Sequence, residues 1–561
     1  RGVRDSTPGN RLFRNDLATA GRFADVSAAA GLHGSQIAFG LGVAVSDVNR
    51  DGRPDVYVAN DFFERDYLYL NRGDGTFADA LPDAADAVSY FSMGMDVADV
   101  NNDGWPDVYT TDMLPEGERR FKLMTSYEGW DVYQAKVVGG YHHQLTRNML
   151  QLNDGGAAAA PAGALGGART PLVPTFTEVG QMAGVSRTDW SWSALLADLD
   201  LDGRKDAFVT NGLAKDITSQ DYVAYLADAA TMREATKGGP GTVDYGKLGK
   251  AMTSTPIADY AFRNVAAESG AGEGVRFANE ARAWGLDLPS FSSGAAYGDL
   301  DGDGAPDLVV NNVDGEAFVY RNNARRLLPG HHVLRVRLDG AGRNRFGVGA
   351  RVAAYAGGTT FVQEQSPVRG FQSSVDYTLT VGLGRHARLD SLVVDWPDGR
   401  RSVQPGVAAD QLVTVRQADA TTPPPAAPPP PVRALMADAS GDSAAPRLPF
   451  RHAENAFVDF DRERLAPRLL STEGPALAVG DVNRDGLDDV FLGGAKNQAG
   501  AVLVQARDGR FRADSAPFTP DAGSEDTGAA LADVDGDGDL DLYVVSGGSE
   551  WDAGAPELQD R

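Results

Sequence analysis

A nine-residue pattern, Asp-x-Asp/Asn-x-Asp-Gly-x-x-Asp, occurs six times in this chain of 561 residues, and each copy runs directly into a strand-like segment. The copies are DVNRDGRPD from Asp47, DVNNDGWPD from Asp99, DLDLDGRKD from Asp198, DLDGDGAPD from Asp299, DVNRDGLDD from Asp481 and DVDGDGDLD from Asp533. Oxygen-bearing side chains at positions 1, 3 and 5 aim at one centre when the backbone coils. Gly at position 6 permits the sharp turn, position 7 offers its carbonyl, and Asp at position 9 closes the shell. Such a donor set suits a hard cation of calcium size. The candidate ligands are Asp47, Asn49, Asp51 and Asp55; Asp99, Asn101, Asp103 and Asp107; and Asp198, Asp200, Asp202 and Asp206. The remaining three loops supply Asp299, Asp301, Asp303 and Asp307; Asp481, Asn483, Asp485 and Asp489; and Asp533, Asp535, Asp537 and Asp541.

The first five ligand types also open an EF-hand loop, but that motif needs Glu at position 12 and a helix on each side. Position 12 is here Val58, Thr110, Val209, Val310, Leu492 or Val544, and the residues after position 9 read VYVAN, VYTTD, AFVTN, LVVNN, VFLGG and LYVVS. These are β-branched and aromatic runs, so EF-hands are rejected and strands are expected. Plain Asp-Gly hairpin turns are the alternative. Three or four acidic groups within nine residues repel one another without a cation, which favours calcium at about six sites.

Charge fits this view. The formal net charge is −26, which argues against nucleic acid as a partner, and 21 of the 78 acidic residues occupy loop positions 1, 3, 5 and 9. With no cysteine there can be no disulfide, thiolate zinc site or cysteine nucleophile. Repeated calcium cages suit the millimolar calcium found outside cells, so an extracellular or cell-surface setting is expected. A disulfide-free chain fits a bacterium better than an animal. No run is long and apolar enough for a membrane-spanning helix, and no signal peptide is read in a chain that opens within a repeat.

A longer unit surrounds each loop. It opens on segments such as FADVSAAAGL (Phe23), FTEVGQMAGV (Phe176) and FANEARAWGL (Phe277), enters the loop through strands such as GVAVSD and GAAYGD, and continues into strands ending in Asn and a Gly-rich turn, as in YLYLNRGDGTF. Loop starts are spaced by 52, 99, 101, 182 and 52 residues, so the 52-residue steps read as one blade each and the longer steps as insertions. The expected fold is all-β: a calcium-binding β-propeller of about seven blades with short helical insertions. Leu114 to Leu145 reads as partly helical, Ala157 to Gly167 as low-complexity, and Asp216 to Lys237 as one amphipathic helix with Tyr222, Tyr225, Leu226 and Ala229 on one side. From 329 to 417 the loops stop and alternating strands suggest a β-sandwich. A Pro-rich linker follows over 418–455, with TTPPPAAPPPP from Thr421, and repeats resume over 456–561 with an incomplete last blade. Residues 1–328 hold the first four loops. Arg11 to Asn15 resembles the last strand of a blade, so the chain is either a fragment or a ring closed by pairing its ends. One interrupted ring and two separate propellers both satisfy the pattern, and the Pro-rich spacer favours the second.

These units resemble FG-GAP/VCBS repeats, the calcium-binding blades also found in integrin α-chain propellers; Phe39-Gly40 followed by DVNRDG is one of the closer matches. NRFGVGARVAAYAGG (Asn344 to Gly358), SPVRGFQSS (Ser366 to Ser374), VGLG (Val381 to Gly384) and VVDWPDG (Val393 to Gly399) resemble an ASPIC/UnbV domain. Repeats joined to this domain are the arrangement of the cartilage acidic protein family and its bacterial relatives. The resemblance implies ligand binding, adhesion or surface display; the reading adopted is a non-enzymatic protein with a glycan or protein partner, and no catalytic residue is picked out. The cysteine-rich EGF-like module of the animal proteins is absent from this sequence.

Other motifs add little. Arg72-Gly73-Asp74 spells an adhesive tripeptide inside a turn that the repeats use anyway. His142-His143 and His331-His332 lack the i, i+4 spacing of a metal-binding helix face, and Trp190, Trp192 and Trp396 suit either sugar stacking or the core. No nucleophile elbow, phosphate loop or dinucleotide fingerprint stands out. The alternative to a binding scaffold is a calcium-dependent polysaccharide lyase or hydrolase, which would show an Arg/Lys cluster beside calcium in a deep groove.

Overall fold

A computed structural model describes residues 9–125, 128–156, 172–237, 243–266, 274–422, 448–466, 469–472, 474–552 and 554–560. It divides into two compact units, Arg1–Ala426 and Ala427–Arg561. Both are mostly β, and no described helix is long and apolar enough to cross a membrane.

Each nine-residue copy joins the first two strands of an antiparallel sheet. The pairs closing the loops are Ser46 with Asp55, Ala98 with Asp107, Ala197 with Asp206, Gly298 with Asp307, Gly480 with Asp489 and Ala532 with Asp541. Position 9 is therefore the first residue of the exit strand. The first repeat has four strands in sequence order: Phe39–Ser46, Asp55–Asp61, Tyr67–Asn71 and Phe77–Asp79. The second and third have the same order, beginning at Met95–Ala98 and Ser191–Ala197, and the fourth has three strands beginning at Ser292–Gly298. The second unit holds a four-stranded repeat from Leu477–Gly480 and a two-stranded one from Glu525–Ala532. Four of the entry strands carry a bulge near their start, at Gly40/Gly42, Ser191/Ala194, Ser292/Ala295 and Asp526/Gly528, which sharpens the local twist at the same point of each repeat.

In the first unit the entry strands of the four repeats pack side by side in chain order. Their sheets share apolar cores, such as Ala44, Leu68, Val97 and Val108 between the first two repeats and Val100, Tyr109, Ala194 and Val209 between the next two. A closed propeller of about seven blades is not seen among the described residues. The segment Arg11 to Asn15 is not a closing strand of these sheets: Phe13–Asp16 pairs with Arg22–Asp25 as a separate hairpin.

Residues 332–416 form the expected second β module. His332–Asp339 lies between Leu379–Gly384 and Gln411–Arg416, and a four-stranded sheet is ordered Thr359–Glu364, Arg351–Ala356, Ser391–Asp395, Arg401–Pro405. Leu334, Val336, Val352, Val394 and Trp396 fill the core between the sheets, and Trp396 Nε1 donates to Ser402 Oγ (3.0 Å). Trp396 is thus a core residue.

The single helix expected over 216–237 is two helices, Gln220–Ala227 and Ala229–Ala235. Asp228 breaks it, because its carboxylate caps the second helix by accepting Thr231 N (2.7 Å). Leu114 to Leu145 contains the helices Glu118–Met124 and Trp130–Val138. The low-complexity stretch 157–167 and most of the Pro-rich linker lie outside the described residues.

Candidate metal centres

The six loops share one hydrogen-bonding scheme. The position 1 carboxylate accepts the position 6 glycine N–H at 2.8–3.1 Å in every copy, as in Gly52 to Asp47 and Gly538 to Asp533. The position 5 carboxylate accepts the position 7 N–H, as in Arg53 to Asp51 (3.0 Å) and Asp539 to Asp537 (3.0 Å). Position 9 has a different task. One of its oxygens accepts the position 2 N–H, closing the loop, and in five copies the other accepts the N–H of Asn71, Asn153, Asn264 or Gln505 on the third strand or of Asn322 just after it. These aspartates are buried in the first five copies, so position 9 ties the sheet together as well as facing the loop.

Backbone conformation explains the residue choice. The position 6 glycines have φ between 85° and 99°. Position 4 is also left-handed: Arg50, Asn102, Leu201 and Arg484 have φ of 56°, 59°, 62° and 59°, and glycine stands there in the other two loops. A bulky residue in that region is uncommon. Leu201 holds it because its side chain is fully buried with Ala305, Ala324 and Val333.

The loops bring the acidic side chains together as the spacing requires. Asp198, Asp200 and Asp206 converge to within 4.8 Å, as do Asp299, Asp301 and Asp303, and Asp533, Asp535 and Asp537. In the other three loops Asn fills position 3, and Asn49, Asn101 and Asn483 accept the position 5 N–H. Burial pushes Asp47 and Asp99 up to about 6 and Asp55 up to about 8, with neighbouring loop carboxylates adding to the shift. Burial likewise holds Asp107, Asp198 and Asp206 well above the usual carboxylate range. Asp198 Oδ1 is buried without a hydrogen-bond partner among the described residues. Oxygen donors forced together, partly desolvated and left short of partners suit a hard cation.

Arginine and lysine supply part of that compensation. Arg263 binds Asp200 (2.8 Å), Arg321 binds Asp301 (2.7 Å), Arg53 binds Asp51, and Arg484 reaches Asp537 and Asp539 at 3.6 and 3.4 Å. Lys205 is buried beside Asp198, whose charge opposes the desolvation that lowers its pKa.

Three features escape a reading by spacing. The first is a clip between repeats: Asn153, Asn264 and Asn322 donate to Val48 O (2.9 Å), Val100 O (2.9 Å) and Leu199 O (2.8 Å), the position 2 carbonyls of the preceding loops. The recurrent Asn after the third strand was its only trace in sequence. The second is the seating of the 332–416 module on the loops. Glu364 accepts Asp47 N (3.1 Å), Arg335 binds Asp299 (2.6 Å), and Gly384 N donates to Leu201 O (3.0 Å). Gly382 packs so closely on Asp198 that a methyl group there would collide with its carboxylate. The third is the hairpin of Val368–Arg369 with Ser373–Ser374 among the entry strands. Gly370 exchanges backbone hydrogen bonds with Met95, and Arg369 binds buried Asp96 (2.6 Å).

A chamber of about 70 Å³ lies between loops and module, lined by Asp47, Arg50, Asp99, Asp198, Lys205, Arg351, Glu364 and Arg369. Here is the Arg/Lys cluster beside the loops that a lyase would need, but small-molecule sites take about 300–1,000 Å³, so the chamber suits water rather than a sugar ring.

At the opposite strand ends, Phe39, Phe62 and Phe63 are 55%, 47% and 50% exposed. Phe62 packs edge-on against Phe39 (5.9 Å) and Phe91 (6.3 Å), Phe63 against Tyr90 (6.2 Å), and Lys136 Nζ lies 4.1 Å from the Tyr90 ring centre. Phe62 has φ of 66°, held by its N–H bond to Asp61 Oδ1 (2.9 Å). Elsewhere, Trp192 Nε1 donates to Gly212 O (2.6 Å), and Asp74 of the Arg-Gly-Asp turn accepts from Thr76 Oγ1 (2.6 Å). Among the described residues no histidine joins a cluster of potential metal ligands.

Family models match in the places these loops and strands occupy. An FG-GAP-like repeat model matches residues 47–110 and 481–544, and an ASPIC and UnbV model matches residues 340–422. No curated protein matches the chain. Among solved structures, one on recognition of non-reducing terminal N-acetylglucosamine by an Agrocybe aegerita lectin is 13% identical, covering 85% of this chain and 80% of that one, with a TM-score of 0.21. The V. cholerae biofilm matrix protein Bap1 is 11% identical, covering 93% and 86%, with a TM-score of 0.16. Similarity at that level carries no argument about fold or ligand. The family models and the loop geometry agree: the chain carries FG-GAP-like repeats at 47–110 and 481–544 and an ASPIC/UnbV domain at 340–422.

Proposed function

We propose that this protein is a non-enzymatic, calcium-loaded repeat scaffold of the bacterial exterior that binds a glycan through its aromatic face. Calcium would be held by positions 1, 3, 5 and 9 of each loop, with the position 7 carbonyl, and would cancel the repulsion among their carboxylates. The chain's own groups do the rest. Position 9 locks loop to sheet, the asparagine clips join successive repeats, and the UnbV module covers the loops of the first unit.

The observation that carries the binding reading is the exposed group Phe39, Phe62 and Phe63, fixed on Tyr90 and Phe91 at the strand ends away from the loops. Rigid aromatic faces next to a cation at Lys136 stack on the apolar faces of sugar rings at little entropic cost. Retention of the protein on a panel of acidic and neutral polysaccharides in millimolar calcium tests this. The F62A/F63A variant should lose retention at least tenfold while melting as the parent does. Unchanged retention would remove the aromatic face from the account, and calcium-dependent shortening of the polysaccharide would replace the scaffold with the lyase or hydrolase.

A further inference from the structure

We infer that the second unit holds a divalent-cation site outside the six loops, built on Glu525 and Glu550. Glu525 begins the entry strand of the last repeat and is completely buried. Neither of its carboxylate oxygens receives a hydrogen bond from a donor among the described residues, and Glu550 Oε2 is likewise buried and without one. The two side chains meet beside Gly548, where a methyl group would collide with Oε2 of both, so the glycine leaves room that the carboxylates share. Glu550 is aimed by Asn455, whose Nδ2 donates to its Oε1 (2.6 Å).

Two further acids, Glu454 and Asp459, act on Glu525 electrostatically. Asp459 is satisfied by Leu470 N (3.0 Å) and Ser471 N (3.1 Å), and Glu454 faces His452 Nε2 (2.6 Å), so neither relieves the pair. The nearby cationic side chains are engaged elsewhere: Arg462 binds Asp552 (2.8 Å), and Lys496 Nζ lies 3.8 Å from the Trp551 ring centre. Burial first, and then Glu550, push Glu525 up to about 8. Three desolvated carboxylate oxygens at one point, with no donor to meet them, are costly unless a cation or a shared proton occupies the gap. Oxygen-only donors select a hard divalent ion, calcium foremost. These residues belong to no copy of the nine-residue pattern, so the site stands whether or not the loops bind metal.

Equilibrium dialysis of the full chain with radioactive calcium reads the site directly. The E525Q/E550Q variant should bind one calcium fewer per chain than the parent. In chelator it should melt at or above the parent, because the repulsion is gone, and in calcium it should melt below it. The single E550Q variant gives the same count should the double variant fold poorly. An unchanged count in a folded variant overturns the inference and assigns the gap to a shared proton.

Discussion

The third loop and the sixth, DLDLDGRKD and DVDGDGDLD, carry the same aspartates at positions 1, 3, 5 and 9 and the same glycine, yet they sit in opposite surroundings. Asp198, Asp200 and Asp206 are buried, with Lys205 desolvated beside them, Arg263 on Asp200 and the UnbV module pressed on Asp198. Asp533, Asp535 and Asp537 converge just as closely but are exposed, with Arg484 reaching Asp537 only at 3.6 Å. Spacing sets the shape of the cage, while what covers it sets how much of its charge the protein itself neutralises. The covered loop is braced by protein cations and packing. The exposed one has only Arg484 beside it for that purpose among the described residues.

The largest effect expected to sharpen this contrast comes from D198N set against D533N. Asp198 is the foremost of the carboxylates that offset the desolvation of buried Lys205, so D198N should lower metal-free stability, whereas D533N should leave metal-free melting unchanged. Equal losses in chemical denaturation would break the comparison. Next is the clip: N264A frees two carbonyls, Val100 O and Lys205 O, and should cost about 1–3 kcal/mol. R335A, which releases Asp299 from the UnbV module, should cost less because both partners keep some solvent access, and a calcium-dependent recovery of its melting temperature would show the ion substituting for the arginine.

A pH effect follows from the burial of Asp47 and Asp99, about 6 in the folded chain, and Glu364, about 7. These values lie above those of the unfolded chain, so between about pH 4 and 7 the folded state holds more protons. Metal-free stability should therefore fall as pH rises through that window. Calcium needs the deprotonated oxygens, so its stabilising increment should grow over the same range. Melting curves at pH 5 and pH 7.5, with and without calcium, check both signs; an increment independent of pH would contradict them.

Much of this was legible locally. The convergence of the loop carboxylates, the glycine turn and the strand after position 9 all lie within a dozen residues, where backbone geometry dominates. The strands of the UnbV module were also visible from alternation, and Trp396 took its core role. What could not be read were meetings across long separations: Glu364 over Asp47, Arg335 on Asp299 and the Arg369 hairpin on Asp96. No periodicity encodes which surface a β module covers. The helix broken at Asp228 failed for a different reason, since a capping side chain outweighed an apolar stripe.

Hydrogen exchange with and without calcium tests the central claim most directly. Chelation should raise exchange first and most at 533–541 and 481–489, and last at 198–206, where the amides of Leu199 and Gly203 bond to buried carboxylates. Exchange that is unaffected by chelation in all six loops would contradict calcium as the element that holds these repeats.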